Sequence, residues 1–192
     1  MSALISLQSA LGLSTAAGLN AYIPLLAIGL AARYTDLISL SSPYDLLTNP
    51  IVLIAIGIFA ILDFIGDKIP AIDHILHAIG VVIHPVAGAL AFMAANSTTG
   101  TIDPTLAAIC GLILAGGMHG TRSAVRPVAT TMTGGIANPV VSFIEDIISF
   151  VLVILSILAP VLAFVLVVFI AFLVVTRMRR FLQQRAQSKT GA

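Results

Sequence analysis

The sequence predicts an all-α protein that crosses a membrane about six times. Of its 192 residues, 59% are hydrophobic and only 9% are charged, whereas charged residues make up about a quarter of a typical soluble domain. The mean hydropathy is +1.12, and apolar runs long enough to cross a bilayer as a helix recur along the chain. Residues 1–176 are therefore predicted to form a single transmembrane domain, followed by a basic tail at 177–192.

Prolines, glycines and polar clusters separate the predicted spans. The first span covers residues 4–32 and is interrupted by the sequence GLSTAAGLN. The other five predicted spans are 51–65, 75–95, 105–118, 140–159 and 161–175. Glycines crowd the first and fourth segments and would permit either an unwound backbone or close helix packing. Because an unbroken helix over 103–133 would exceed the hydrocarbon layer at about 1.5 Å per residue, we expect both segments to be broken.

Two short similar sequences indicate that the chain is built from two copies of a three-span unit. NPIV begins the second span at Asn49, and NPVV begins the fifth span at Asn138. An odd number of spans in each copy places the copies in opposite orientations, as in many transporters and channels. The candidate halves are 1–100 and 101–176. A chance match is the alternative, since the pairing of HPVAG with RPVAT shows how easily such matches arise.

Basic residues at the end of the chain set the predicted orientation. Five of the nine basic residues follow the last span: Arg177, Arg179, Arg180, Arg185 and Lys189. Such a cluster next to a span favours the cytoplasm, and six crossings then place the N-terminus there as well. We expect a multi-pass protein of the inner cell membrane. Binding of the tail to acidic lipid or nucleic acid is the less favoured alternative, and no nucleic-acid partner is predicted.

Ionisable side chains inside the spans are the candidates for function, because a charge near the bilayer centre costs several kcal/mol. Asp63 lies within the second span, and Asp67 follows one helical turn later on the same face. Lys68 and Asp73 lie in the connection to the third span. A solvated cytoplasmic turn explains Lys68 and Asp73 equally well, whereas the depth of Asp63 favours a functional role.

The second half of the chain has a matching set of candidates. The sequence HGTRSAVRP contains His119, Arg122 and Arg126, and the two arginines would share one face of a helix. The fifth span begins with NPVVSFIEDIISF, which carries Glu145 and Asp146 into the membrane. We expect one of these carboxylates to pair with one of the arginines in a central polar layer, opposite the charged residues of the first half. Ion pairs that only hold the halves together are the alternative.

A metal site is a weaker expectation. His74 and His77 are three residues apart and could bind zinc, manganese or iron together with Asp67 or Asp73. No zinc-protease motif and no CxxC pair supports such a site, and an isolated pair of histidines is more often a packing or interfacial feature. Nor does the sequence contain a nucleotide-binding loop, a nucleophile elbow or a dinucleotide fingerprint. We therefore predict no cofactor and leave metal binding open.

Four stretches, GLSTAAGLNAYIPL, DFIGDKIPAID, HPVAGAL and NPVVSFIEDI, resemble an uncharacterised family of small bacterial and plant membrane proteins known only as a domain of unknown function. The resemblance covers residues 11–159, and its most specific parts are DKIP with Asp73, the run PVAGA, and Glu145 with Asp146. The family pattern commonly has arginine at the position of His84, which argues against a metal role for that histidine. The resemblance implies a membrane protein and supplies no activity.

Passage of a small solute or ion through the membrane is the function that the sequence favours. Asp63, Asp67, Glu145 and Asp146 would be cation or proton sites, and the arginines would be their partners or would hold an anion. A membrane-embedded enzyme acting on a lipid or isoprenoid phosphate is one alternative, and a membrane scaffold or accessory subunit is another. A homodimer is compatible with a chain of this length, which is small for a pore.

Overall fold

The computed structural model describes residues 3–67, 69–97, 99–133 and 138–190. Within these residues the chain forms seven α-helices, one 3-10 helix and no strand. The α-helices are α1 (Ala3–Leu19), α2 (Tyr22–Tyr34), α3 (Pro50–Gly66), α4 (Pro70–Asn96), α5 (Pro104–Thr133), α6 (Asn138–Leu158) and α7 (Pro160–Thr190). The 3-10 helix covers Tyr44–Thr48. The predicted all-helical class is confirmed.

Proline begins most of these helices. Pro50, Pro70, Pro104 and Pro160 are the first residues of α3, α4, α5 and α7, where the missing N–H group would have no intrahelical partner and the fixed φ angle suits the helix. The side chain of Asn49 accepts a hydrogen bond from the first turn of α3 and caps it. Because these signals are local, the predicted starts of α3, α5 and α7 lie within one residue of the observed starts.

The first segment is broken, as predicted, but it folds back on itself instead of crossing once. Asn20 separates α1 from α2, and its Oδ1 atom accepts hydrogen bonds from the N–H groups of Tyr22 and Ile23, 3.0 and 3.1 Å away. Ser6, near the start of α1, hydrogen-bonds to the C-terminal end of α4, and Ser41, in the loop after α2, bonds just beyond the same end. The helices α1 and α2 therefore run in opposite directions.

The helices alternate in direction along the chain, which gives the bundle two distinct ends. We call the end at which α2 connects to α3, α4 to α5 and α6 to α7 the loop end, and the opposite end the cluster end. Ala3 lies at the loop end, whereas α7 carries Arg177 to the cluster end. The expectation of a cytoplasmic N-terminus assumed a single crossing by residues 4–32, which the α1–α2 hairpin replaces. The side of the membrane on which each end of the chain lies stays a prediction.

The predicted break in the fourth segment is wrong: α5 is a continuous helix of 30 residues. Its apolar part, Pro104–Ala124, is 21 residues long and can cross a membrane by itself, and the helix simply continues beyond that part. Its glycines do not unwind the backbone, and Gly111 permits close packing against α4. A Cβ atom at Gly111 would lie 2.5 Å from the carbonyl oxygen of Gly88, so α5 and α4 touch through their backbones.

In the described residues, four helical ranges are long and apolar enough to cross a membrane: Ala78–Asn96, Pro104–Ala124, Asn138–Leu158 and Pro160–Arg177. The helices α1, α2 and α3 are apolar but shorter, with 17, 13 and 17 residues. At about 1.5 Å per residue, 17 residues extend only about 25 Å, less than the hydrocarbon thickness of about 30 Å. The structure therefore supports a polytopic membrane protein but not a count of six spans.

Helix α1 lies at the centre of the bundle. It packs against α2, α4, α5, α6 and α7. Its Leu13 is fully buried and belongs, with Ile28 on α2 and Leu152 on α6, to the main apolar core. The outer faces of α3 and α7 instead expose large apolar residues such as Ile58 and Phe169. Apolar outer faces around a buried central helix are typical of a bundle surrounded by lipid.

The two NP sequences begin helices of opposite direction. Asn49 precedes α3 at the loop end, whereas Asn138 begins α6 at the cluster end. An inverted repeat requires this opposite orientation. The division into halves at 1–100 and 101–176 stays a prediction.

Candidate functional site

Arg122 lies near the cluster end of α5 with its side chain only 4% exposed, and it contacts two carboxylates. Its Nη2 atom lies 2.6 Å from Oδ2 of Asp67, at the C-terminal end of α3. Its Nε atom lies 2.7 Å from Oε2 of Glu145 on α6. One guanidinium group therefore joins carboxylates from two helices. Such pairing is needed here, because an unpaired charge in apolar surroundings costs several kcal/mol.

The break between α1 and α2 supplies a further partner of Arg122. Helix α1 ends at Leu19, and the Leu19 carbonyl oxygen accepts a hydrogen bond of 2.8 Å from Nη1 of Arg122. The last carbonyl groups of a helix have no partner within it, so they readily accept from a cationic donor. The same Nη1 atom lies 3.4 Å from Nε2 of His84 on α4. Arg122 thus connects α5 with α1, α3, α4 and α6.

Asp67 is held from two directions. In addition to its contact with Arg122, its Oδ2 atom accepts a hydrogen bond of 2.7 Å from Oγ of Ser142. Ser142 is fully buried and lies three residues before Glu145, on the same face of α6. The first turns of α6 therefore present a hydroxyl and a carboxylate to one charged group. We call Asp67, Arg122, Ser142 and Glu145 the charged cluster.

Asp146 is held beside the charged cluster by the residue that breaks the first segment. Nδ2 of Asn20 donates a hydrogen bond of 2.9 Å to Oδ1 of Asp146, while Oδ1 of Asn20 caps α2. One amide side chain therefore fixes the start of α2 and attaches it to α6. A displacement of α6 would be transmitted directly to the α1–α2 break.

Two histidines stack next to the charged cluster. The ring centroids of His84 and His119 are 4.3 Å apart, with an interplanar angle of 35°. Gly80 leaves room for them, since a Cβ atom there would lie 3.0 Å from Cε1 of His119. Nδ1 of His84 lies 3.0 Å from the carbonyl oxygen of Ala17, which can only accept. Nδ1 therefore donates to this carbonyl oxygen, and Nε2 faces Arg122.

The structure brings several of the predicted site residues together. Arg122 pairs with Glu145, as expected, and Asp67 joins the same arginine instead of facing it from an opposite layer. His119 and Asp146 lie beside the cluster. The predicted central layer is displaced towards one end of the bundle, because Asp67 directly follows the last residue of α3. A binding role for these residues stays a prediction.

The remaining predicted residues are described only in part. Asp63 lies one turn before Asp67 on α3 and is half-buried. Lys68 lies outside the described residues, as do the side chains of Asp73, His74, His77 and Arg126. In the part of the chain that is described, no group of three or more His, Cys, Asp or Glu side chains is placed to hold a metal ion. Metal binding by His74 and His77 therefore stays untested.

Sequence reasoning did not predict the contacts of Asn20, Ser142 and His84. Each residue leaves a weak signal. Asn20 is a polar residue in the GLSTAAGLN interruption, Ser142 precedes a carboxylate by three positions, and His84 interrupts an apolar span. None of these signals identifies a partner, because the partners lie on helices that are distant in the sequence.

A row of buried serines continues from the charged cluster towards the loop end. Ser142, Ser149 and Ser156 are spaced by seven residues on α6, and all three are fully buried. Oγ of Ser149 donates a hydrogen bond of 3.1 Å to the carbonyl oxygen of Ala16 on α1, and Ser156 packs against Gly12 of α1. Small hydroxyl side chains therefore line the contact between α6 and α1.

A cavity of about 180 Å³ opens at the loop end. Hydroxyl groups and one carboxylate line its sides: Ser6, Ser9, Ser39, Thr99 and Asp36. Its apolar base includes Leu13, Ile28 and Ile157. Leu13 lies six residues before Leu19, so about 9 Å of helix separates the base from the carbonyl that binds Arg122. We call this space the loop-end cavity.

Residues 7–180 match the family described as a domain of unknown function, DUF4126. The matched range contains every residue of the charged cluster and most of the helical bundle. No curated protein and no solved structure matches the chain. The resemblance drawn from the sequence motifs is confirmed, and the chain belongs to the DUF4126 family.

Proposed function

We propose that the protein carries a small solute or ion across the membrane along the contact between α1 and α6. The main support is the charged cluster, in which Asp67, Arg122 and Glu145 are buried together beside a broken helical segment. In membrane transporters, ionisable residues next to discontinuous helices commonly form the ion and substrate sites. Contact with lipid explains the apolar outer faces of the bundle but gives no reason for these charges.

In this proposal the route is closed at two levels. At the cluster end, Arg122 forms ion pairs with two carboxylates, and its side chain is almost completely buried. Towards the loop end, Leu13, Ile28 and Leu152 belong to the apolar core between the charged cluster and the loop-end cavity. Apolar constrictions exclude water and hydrated ions. A solute therefore passes only when these two closures open in turn.

A cation or proton can open the cluster end because it competes with Arg122 for the carboxylates. Once Glu145 binds a proton or a cation, its attraction to the guanidinium group weakens. The resulting movement of α6 is transmitted through Asp146 and Asn20 to the start of α2. Since α2 and α1 also contribute to the loop-end cavity, the two ends of the route are mechanically connected.

In this proposal the cluster end faces the cytoplasm, because the basic residues from Arg177 onwards lie in the C-terminal part of α7. The loop-end cavity then faces the outside of the inner cell membrane, and α1 begins on that side. A single bundle contains both the cavity and the charged cluster, so a homodimer would provide a second route and is not required for the first.

Flux into proteoliposomes tests the proposal. Purified protein would be reconstituted, and protons, alkali cations, divalent cations and common anions would be tested against empty liposomes. Asp67→Asn and Glu145→Gln each remove one charge from the cluster, and Asp45→Asn makes a matched change on the exposed 3-10 helix. We expect flux in the wild type and Asp45→Asn, and its loss in both cluster variants. No flux of any ion through folded, inserted wild-type protein would contradict the proposal.

A structural role is the second candidate, because Arg122 alone connects five helices. A scaffold would need the same ion pairs to hold the bundle together. Cluster variants would then lose stability, and the wild type would show no flux. The enzyme alternative requires Asp and His side chains as metal ligands or as acid and base. Those of Asp73, His74 and His77 lie outside the described residues, and we do not propose this alternative.

A further inference from the structure

We propose that the loop-end cavity is a binding site for a small monovalent cation. The chemistry of its walls, an available hydroxyl group and its volume support this assignment. Its place in a transport route rests on the proposed function, whereas binding in the cavity does not require flux.

The walls of the cavity offer oxygen atoms and a single negative charge. The hydroxyl groups belong to Ser6, Ser9, Ser39 and Thr99, and the carboxylate belongs to Asp36. Among the described residues that line the cavity, none is basic. Oxygen ligands suit hard cations, and they also accept hydrogen bonds from ammonium groups. An anion would meet the Asp36 carboxylate without a compensating positive side chain.

Arg33 lies close to Asp36 in the sequence but is directed elsewhere. Its Nη1 atom donates a hydrogen bond of 2.8 Å to the carbonyl oxygen of Thr48. Its guanidinium carbon lies 5.5 Å from the ring centroid of Tyr34. The guanidinium group of Arg33 therefore binds the 3-10 helix that precedes α3, and Arg33 does not line the cavity.

Ser9 supplies a further oxygen atom to the wall of the cavity. It is only 7% exposed and lines the cavity, yet its hydroxyl group makes no hydrogen bond to the described part of the chain. Ser6 shows the contrast, since its Oγ atom donates to the carbonyl oxygen of Ala95 over 2.8 Å and accepts from Thr99 over 3.0 Å. The Ser9 hydroxyl is therefore available to a molecule that enters the cavity.

The volume limits the size of the ligand. A space of about 180 Å³ is large enough for several water molecules, since one water needs only about 10–15 Å³ of such space. This suits an alkali cation with part of its hydration shell or a small organic ammonium ion such as methylammonium. N-methyl-D-glucamine carries a long polyhydroxyl chain and therefore serves as the large reference cation.

Cysteine accessibility tests the site in detergent, where both ends of the bundle face solution. Cys110 is the single cysteine, so Cys110→Ala provides a background in which Ser9→Cys places one thiol in the cavity. The rates of reaction with a cationic and an anionic methanethiosulfonate reagent are each divided by the rate with free 2-mercaptoethanol. We expect the cationic reagent to react faster, and Asp36→Asn to lower this preference roughly threefold, as removal of one exposed carboxylate should.

Protection by added salts identifies the cation. Sodium, potassium or methylammonium chloride should slow the reaction at Ser9→Cys relative to N-methyl-D-glucamine chloride at equal ionic strength. Comparison of the alkali salts with methylammonium distinguishes a metal ion from an organic ammonium ion. Ile58→Cys, on the exposed outer face of α3, is the control and should show neither protection nor a dependence on Asp36.

Three outcomes would overturn the proposal: equal normalised rates for both reagents, no protection by any of the three salts, or no reaction of a thiol that does react after denaturation. If Ser9→Cys does not fold, Thr99→Cys in the same background carries the same test. Protection without flux in proteoliposomes would leave the cation site in place and contradict only the transport proposal.

Discussion

The two ends of the bundle bury polar groups in opposite ways. At the cluster end, Arg122 contacts Asp67 and Glu145 directly, at 2.6 and 2.7 Å. At the loop end, hydroxyl groups surround a cavity, and that of Ser9 has no partner in the described part of the chain. A buried charge is much more costly than a buried hydroxyl when it is left alone. The charged end must therefore keep its ion pairs when no ligand is bound, whereas the hydroxyl-lined end can stay open to a ligand.

The contrast extends to how each end is assembled. The charged cluster joins helices whose partners are far apart in the sequence, such as Arg122 on α5 and Asp67 after α3. Many contacts at the loop end are local instead, such as the cap that Asp103 forms on α5 and the bond between Thr48 and Asp45. Substitutions at the cluster end should therefore affect the whole bundle, and those at the loop end should have smaller, local effects.

The largest expected effect follows from removing the centre of the charged cluster. Arg122→Met leaves Asp67 and Glu145 without their shared guanidinium group. We expect the free energy of unfolding to fall by about 3–5 kcal/mol, as for other buried ion pairs that lose one partner. A titration with sodium dodecyl sulfate, followed by circular dichroism, would measure it.

Arg33→Met is the matched control at the loop end, because Arg33 is exposed and contacts only one carbonyl oxygen and the ring of Tyr34 among the described residues. Its cost should stay below about 1 kcal/mol, as for other exposed charged contacts. Equal losses in the two variants would show that the ends do not differ in how tightly their polar groups are held.

Two buried serines provide a sharper test, since the same substitution can be made at each end. Ser142→Ala removes a hydroxyl that donates to the Asp67 carboxylate, and hydrogen bonds to charged groups contribute about 1.5–3 kcal/mol. Ser9→Ala removes a hydroxyl that bonds to nothing described in the chain, so a change within about 0.5 kcal/mol is expected. The same detergent titration compares both variants with the wild type. A larger loss of stability for Ser9→Ala than for Ser142→Ala would contradict the assignment of the cluster end as closed and the loop end as open to a ligand.

Local sequence signals predicted the helices well. The prolines that begin α3, α5 and α7 fixed their starts, and Asn49 marked a cap. The predictions were wrong where they depended only on the length of an apolar stretch. Residues 4–32 are long enough for one crossing, but Asn20 caps a new helix that turns back. Conversely, α5 is one continuous helix of 30 residues, because a helix longer than the hydrocarbon layer can extend beyond it without a break.

The candidate site was predictable only in its charged members. Burial of ions in an apolar chain requires pairing, which is why the contact between Arg122 and Glu145 could be expected. The carbonyl oxygen of Leu19 could not be expected, because every residue has one and only the position of the helix end makes it available. The loop-end cavity was not predicted either, since serines scattered over separate segments give no joint signal.

Between the two ends, close backbone packing of α4 and α5 should keep their separation fixed. At Gly111, a Cβ atom would lie 2.5 Å from the carbonyl oxygen of Gly88. Gly111→Ala therefore forces the helices apart and should lower the free energy of unfolding by about 1–3 kcal/mol. Gly57→Ala on α3 is the control, because no atom lies within 4 Å of its added Cβ atom. It should be neutral or stabilise the helix by up to about 1 kcal/mol. A similar loss of stability in Gly111→Ala and Gly57→Ala would mean that α4 and α5 can separate easily.

The smallest effect is expected for a local contact at the loop end. Oδ1 of Asp103 accepts hydrogen bonds of 2.8 and 3.3 Å from the N–H groups of Thr105 and Leu106, at the start of α5. Asp103→Ala should therefore lower the free energy of unfolding by about 1 kcal/mol, the usual cost of losing a helix cap. Asp45→Ala removes an exposed carboxylate nearby and should change it by less than about 0.5 kcal/mol. Because α5 also carries Arg122, hydrogen exchange can distinguish a local effect of the lost cap from an effect on the charged cluster. Loss of the cap should speed exchange only in the first turn of α5, and faster exchange around Arg122 would show that the loop end and the charged cluster are coupled through this helix.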